Sequence, residues 1–555
     1  MNSPNPALVT ARSARRLPRV ALLLLCAAYV LPGLVGRDPW RSADLTAFGI
    51  MAAMAEGRTS WWAPTLGGVA ADTALLPHWL GALFISASQG LLEPALAARL
   101  PFAGLLALTL VLVWYSTYLL ARTEAAQPVA FAFGGEAEPV AYARAMADGG
   151  LLALMATLGL LLLGHETTPE LAQLFAVSLG IYGLAAAPFR PWRSRLALLL
   201  ALPLLAASGA PAMAMAVGVG GWLVCSQSRL PQVRSVAWVV LLATLLAGLA
   251  AWGLGAWRWR AHGLQVADLP SVARQWLWFM WPAWPLALWT VWRWRQHLLY
   301  RHLAVPLMVL LVALASNLAM GGSDRALMLG LPALAVLAAF ALPTLKRSAS
   351  AAIDWFSMCF FTLAALTGWV LYVSVQTGLP AKPAANVAKL FPGFVPAFSP
   401  WTLGLALLAT LAWIALVRWR TGRHQDALWK SLVLPAGGVA LVWLMLMTLG
   451  LPLVDHARSP KALVAQLQLH LPHGACVAAP GVPPATVAAM EQFGRWRVLA
   501  QTDADQVALA AGCNHLLRLT RQRPLPAAPP GWELVGEALR TRDKEEVTQV
   551  FRRLP

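Results

Sequence analysis

Apolar runs separated by short breaks of Arg, Gly and Pro dominate the chain from residue 18 to about residue 451. Run after run reaches the ~17–25 residues that a helix needs to cross a bilayer. The first covers 18–36, others cover 99–121 and 141–164, and the last covers roughly 431–451. At ~20 residues each, about thirteen crossings are expected. One long break comes early, over 36–80. Within it Leu45, Phe48, Ala52 and Ala55 repeat at helical spacing, with Ser42 placed to cap the helix and Gly57 to stop it. Such a helix is expected to lie flat in the membrane interface, apolar side down. The next stretch, 75–93, is broken by Pro77, His78, Gly81 and Gly90, and suits a span or an interfacial helix. From Asp455 the alternation shortens. Residues 461–471 and 484–493 read as helices, and 475–479, 515–519, 532–535 and 547–552 as strands. They predict a compact α/β or α+β domain of ~100 residues.

Composition agrees with that pattern. The 555 residues are 59% hydrophobic and 12% charged, against ~25% charged in soluble domains. A net charge of +18 points first to nucleic acid. Its distribution excludes that partner, because the basic clusters sit between apolar runs, as the positive-inside rule requires. The clusters at 190–195, 229–234, 292–302, 346–347 and 418–430 share one phase with Arg122 if 75–93 does not cross. That phase puts the N-terminus in the cytoplasm and the last domain outside. Arg12, Arg15, Arg16 and Arg19 precede a first run with no small-residue cleavage site, so it is expected to remain as an anchor. The expected architecture is a polytopic α-helical membrane protein of a bacterial inner membrane. Residues 1–454 form the membrane body, 37–80 its first periplasmic loop, and 455–555 a periplasmic α/β domain.

The acids are scarce and gather on the outer side. The first loop holds Asp38, Asp44, Glu56 and Asp72, four of 24 acidic residues. His165-Glu166 and Glu170 fall in another outer break. Asp44 in a helix's first turn also suits the helix dipole. Asp148 falls within a span or near its inner end, away from the others. Outer cations run against the general trend: Arg258, Arg260, His262 and Arg274 in 257–275, Lys382 and Lys389 in 376–400, and Arg325 beside Asp324. Cations next to apolar grooves suit a lipid phosphate. Each alone also reads as snorkelling, and Asp324-Arg325 as a local pair worth under ~1 kcal/mol. Cys26, Cys225 and Cys359 fall in apolar spans as small hydrophobes. Cys476 and Cys513 share the outer domain, where an oxidising compartment allows a disulfide. No CxxC, HExxH or Gly-rich phosphate loop occurs. His165-Glu166 alone is too few ligands for a metal, and neither a divalent metal nor another cofactor is expected.

This arrangement resembles the polyprenyl-phosphate-sugar-dependent membrane glycosyltransferases of the GT-C fold. The branch is glycosyltransferase family 39, which contains the lipid A aminoarabinose transferase and the protein O-mannosyltransferases. The resemblance covers nearly the whole chain through loose motifs. Ala43-Asp44 matches the family's first-loop acidic pair with one acid missing. Asp72-Thr73-Ala74-Leu75 followed by Trp79-Leu80 matches its Glu-Lys-Pro-Pro…Trp-Leu stretch, with Thr73 where the family lysine faces lipid phosphate. Pro169-Glu170-Leu171-Ala172 matches its second outer acid, and Arg325-Ala326 its outer Arg-Tyr.

The resemblance implies transfer of a sugar from a polyprenyl-phosphate donor to a lipid A, another envelope glycolipid or a protein acceptor. Asp44, Glu170 and Asp72 are the implied catalytic acids, with Glu166 and His165 beside them. Arg58, His78, Arg325, Lys382 and Lys389 are the candidates to meet the leaving phosphate. Two other classes remain open on sequence. A flippase for lipid-linked sugar would place acids near the midplane and carry an internal repeat. An inactive family member would serve envelope assembly as a scaffold.

Overall fold

The computed structural model describes residues 7–40, 42–71, 74–257, 263, 265–422, 427–501, 513–522, 524–539 and 546–554. The apolar runs fold into helices α1 (Arg19–Val30), α2 (Ser42–Ala55), α3 (Leu75–Ser88), α4 (Pro94–Ala121), α5 (Pro139–Ala156), α6 (Leu158–Leu163) and α7 (Pro169–Ala186). They continue as α8 (Pro191–Ala207), α9 (Pro211–Ser226), α10 (Pro231–Gly253), α11 (Leu269–Phe279), α12 (Ala283–Arg293), α13 (Arg301–Ala319), α14 (Asp324–Met328) and α15 (Leu331–Ala339). The series ends with α16 (Arg347–Thr377), α17 (Ala381–Leu390), α18 (Pro400–Thr421), α19 (Lys430–Thr448), α20 (Leu451–Arg458), α21 (Lys461–Leu467) and α22 (Pro484–Phe493). Pro94, Pro139, Pro169, Pro191, Pro211, Pro231 and Pro400 each open a helix, where a missing N–H costs nothing and φ is already helical.

Among the described residues, eight helical segments are long and apolar enough to cross a bilayer, against about thirteen crossings expected at ~20 residues each. Expected segments outside those eight are shorter or broken. The first run yields a helix of 12 residues, ended before Pro32 and by Gly33 at φ +80°. The 141–164 run is two helices parted at Thr157, whose Oγ1 donates to the carbonyls of Ala153 and Leu154 at 2.8 Å, a bond that competes with the helix ladder. The fully buried α15 occupies the centre of the bundle, packed by α5, α12 and α13. The α16–α18 pair stands at the edge and leaves Leu363, Leu366, Leu408 and Leu411 exposed.

Residues 7–17 are built into the fold. Thr10 pairs with Glu136, Leu17 N–H donates to Asp148 Oδ2 at 2.8 Å, and Trp429 Nε1 donates to the Arg15 carbonyl at 2.7 Å. Asp148 also accepts from Trp114 Nε1 at 2.8 Å, which explains its place far from the other acids.

Strands β1 (Thr65–Leu66) and β2 (Val69–Ala70) make a small hairpin in the first loop. The C-terminal sheet comprises β3 (Cys476–Ala478), β4 (Arg497–Leu499), β5 (His515–Thr520), β6 (Trp532–Leu539) and β7 (Val547–Arg553), in the order β4-β3-β5-β7-β6. The β3 pairings are parallel, and those of β7 are antiparallel. A Cys476–Cys513 disulfide ties β3 to the approach to β5.

The sheet unit sits on the first loop, and this corrects the expectation for α2. That helix does not lie with one face open to water. Ala47, Phe48, Met51 and Ala52 pack into the membrane core, while Leu45, Ile50 and Met54 pack into the core of the sheet unit. A Cβ on Gly49 would meet Ala488 Cβ at 2.5 Å, so only glycine permits the close approach of α22. Gly57 stops α2 as expected, with Arg58 N–H donating to Ala53 and Gly57 N–H to Met54 in the Schellman pattern. Ala500 N–H donates to the Gly67 carbonyl at 2.7 Å and fastens the hairpin to the sheet unit.

Candidate active site

Four pieces of chain meet at the end of the bundle under the sheet unit: the first turn of α2, the link between α6 and α7, the first turn of α7, and α14. Apolar helices push their charged residues to their ends, and there each must find a partner or water. Arg325, in the first turn of α14, is the hub. Its Nη2 lies 2.5 Å from Glu166 Oε2, and its Nη1 lies 3.2 Å from Glu170 Oε2 and 3.0 Å from Thr168 Oγ1. The Glu166 side chain is 2% exposed, while those of Glu170 and Arg325 are 22% and 16% exposed.

Asp44 is wired to the same link. Its Oδ1 accepts from Thr167 N and Thr167 Oγ1, both at 2.7 Å. Its Oδ2 lies 3.9 Å from Arg37 Nη2. Arg37 donates to the His165 carbonyl and stacks over Trp40, its Cζ 5.3 Å from the ring centre. Asp44 and Arg325 thus hold Glu166, Thr167 and Thr168 from opposite sides. Both His165 ring nitrogens face carbonyls, Leu161 at 2.6 Å and Tyr29 at 2.8 Å. Burial, aided by the Arg37 charge, still pulls its pKa down to about 4, so the ring is neutral at pH 7 and donates to only one of them.

A second set adjoins the first. Trp40 Nε1 and Asp38 N–H both donate to Asp455 Oδ1 on α20. Asp38 in turn accepts from Ser459 Oγ at 2.7 Å and pairs with Lys461 Nζ at 2.8 Å. Burial raises the Asp455 pKa, opposed by the Trp40 and Asp38 hydrogen bonds. Arg99 on α4 is 4% exposed, and its Nε is buried without a hydrogen-bond partner.

An apolar cavity of about 240 Å³ opens beside the hub, lined by Glu170, Gln173, Met213, Trp257, Met320, Arg325 and Leu329. Of the expected site residues, Glu170 and Arg325 therefore face a cavity, with Glu166 directly behind them. Asp44 and His165 stand one layer back and do not line it. His78 is buried on α3, and burial lowers its pKa to about 4. Arg58 is a clamp between the first loop and the sheet unit, 2.7 Å from both Glu56 and Glu491. Lys382 and Lys389 are exposed on α17 and do not line the cavity. Asp72, like Arg258, Arg260 and His262, lies outside the described residues. Sequence reasoning missed the partners that position the acids, namely Thr167, Arg37, Trp40 and Asp455. Arg37-Asp38-Pro39-Trp40 directly after the first apolar run was the available signal. Among the described residues, no group of three or more His, Cys, Asp or Glu converges as metal ligands.

Neither a protein-family model nor a curated protein sequence matches the chain. Solved structures do. ArnT from Cupriavidus metallidurans, bound to undecaprenyl phosphate, aligns over 96% of both chains with a TM-score of 0.57 and 14% identity. ArnT from the same organism in the apo state aligns over 96% of both chains with a TM-score of 0.58 and 14% identity. The chain is a polytopic helical membrane protein with the ArnT fold, the fold implied by its first-loop and outer-acid motifs.

Proposed function

We propose that the protein is an inner-membrane glycosyltransferase that moves a sugar from a polyprenyl-phosphate donor to an acceptor on the periplasmic side. The observation that carries this reading is the Glu166–Arg325–Glu170 cluster at an apolar cavity, in a fold shared with a protein solved with undecaprenyl phosphate. The apolar cavity suits the first isoprene units of the donor, with the phosphate toward Arg325. A guanidinium offers five N–H donors, and its three bonds to Glu166, Glu170 and Thr168 leave capacity for a phosphate oxygen.

In the reaction the acceptor oxygen bonds to the sugar's anomeric carbon as the bond from that carbon to the donor phosphate oxygen breaks. The phosphate leaves with the electron pair, and Arg325 stabilises its charge. Glu170, the more open of the two glutamates, takes the proton of a hydroxyl acceptor, help worth ~10²–10⁴-fold. A phosphate acceptor arrives ionised, and Glu170 then only positions it. The carboxylates also favour positive charge at the anomeric carbon. Glu166 holds the guanidinium, and Asp44 holds the Thr167 turn that carries Glu166. The test is transfer by the purified protein in liposomes with a lipid-linked sugar donor. Release of polyprenyl phosphate coupled to acceptor glycosylation supports the reading. Movement of intact donor across the bilayer without bond cleavage contradicts it.

A further inference from the structure

A second cavity lies beyond the Asp38–Asp455 set. It measures about 420 Å³ and runs between α16, α19 and α20, with Gly368, Leu371, Met445 and Leu453 in its walls. Phe394, Ala397 and Ser399, which follow α17, close the end that faces the sheet unit. Two observations distinguish it from an ordinary seam between helices. Tyr372 lines it, and the buried Tyr372 Oη has no hydrogen-bond partner; such a group calls for an acceptor. The chain on its α16–α18 side carries charge of one sign: residues 355–425 contain no Asp or Glu. The exposed Lys382 and Lys389, seven positions apart, share one face of α17, the helix that packs on α16 and leads to Phe394.

We propose that this groove binds an anionic diacyl phospholipid, with a chain between α16 and α19 and the phosphate at Lys382 and Lys389. Tyr372 Oη donates to an ester carbonyl of the same lipid. Depth selects this occupant. Tyr372 lies five residues before the end of α16 at Thr377, ~7.5 Å along the axis, where glycerol esters lie beneath a headgroup phosphate. A polyprenyl phosphate has only hydrocarbon at that depth and would leave the hydroxyl unpaired. The proposal also gives a role to the two lysines that the Arg325 cavity does not use. Because Pro452 and Leu453 of α20 line the groove and Asp455 of α20 accepts from Trp40 and Asp38, the lipid buttresses the first loop.

Native mass spectrometry of the delipidated full chain tests this, using dioleoyl phosphatidylglycerol, its ether-linked analogue, dioleoyl phosphatidylcholine and a polyprenyl phosphate as probes. One phosphatidylglycerol should be retained, about fivefold or more in preference to the ether analogue and by a larger factor over phosphatidylcholine, at about fivefold per lysine. Tyr372→Phe keeps the packing and should erase the ester preference alone. Lys382→Gln with Lys389→Gln, both on the surface, should erase the charge preference alone. Equal retention of all lipids, preferences unmoved by these variants, or displacement of phosphatidylglycerol by the polyprenyl phosphate would overturn the proposal.

Discussion

Replacing Arg325 by Met separates the structural from the chemical role of the hub. The side chain keeps similar length and loses its charge. Glu166, at 2% exposure, loses this guanidinium. Breaking a buried pair in this way costs about 3–5 kcal/mol. Glu170 is more open at 22%, and its loss adds no more than ~1 kcal/mol. Arg325→Met should therefore lower the apparent Tm of the detergent-solubilised protein at pH 7.5. The deficit should shrink toward pH 5. Taking a cation away from a buried carboxylate raises its pKa, and the penalty shrinks once it binds a proton. Adding Glu166→Gln should recover most of the stability while transfer stays abolished. The coupling between the two sites is the difference between the double variant and the sum of the singles. An Arg325→Met protein as stable as the parent from pH 5 to 8 would refute the buried-pair argument.

Gly49→Val should cost about 1–3 kcal/mol by overpacking, because Ala488 already stands where its Cβ would go; faster proteolysis of the sheet unit in membranes would report it, and unchanged proteolysis would contradict it. Loss of the Cys476–Cys513 bond, which spans 37 residues, should cost ~2–4 kcal/mol and shift the protein on non-reducing gels; two free thiols in protein purified without reductant would contradict it. His78 and His165, each held at about 4 when folded, take up protons in the unfolded chain below ~6.5. Each should remove stability as pH falls from ~6.5 toward 4, at ~1.4 kcal/mol per pH unit, and His165→Gln should reduce that slope measurably in a pH series of Tm.

The apolar runs foretold the helices because crossing a bilayer demands them, and Gly57 foretold its stop because its φ of +71° suits glycine. The hub was legible for a related reason: Glu166, Glu170 and Arg325 are charges at the ends of apolar segments. The sequence could not show that Asp38 meets Asp455 across 417 residues, since nothing local encodes that contact. It also misled on α2, whose surroundings are apolar on both sides because α22 covers the face expected to meet water. Strand β4 escaped notice because its three residues carry Arg497 and too little alternation to read. Asp44, an acid the resemblance implies as catalytic, bonds Thr167 in the link that carries Glu166 and does not line the Arg325 cavity, a placement that nothing local in the sequence encodes.

The central claim is that Glu170 and Arg325 act on a lipid-linked sugar at one cavity. The most direct measurement is the single-turnover rate of sugar transfer by the purified full chain in liposomes, for the parent and for Glu170→Gln. The substitution preserves size and removes the charge at the cavity wall. With a hydroxyl acceptor, the account predicts a rate lower by ~10²-fold or more, with insertion and apparent Tm close to the parent's. An unchanged rate in Glu170→Gln would contradict it.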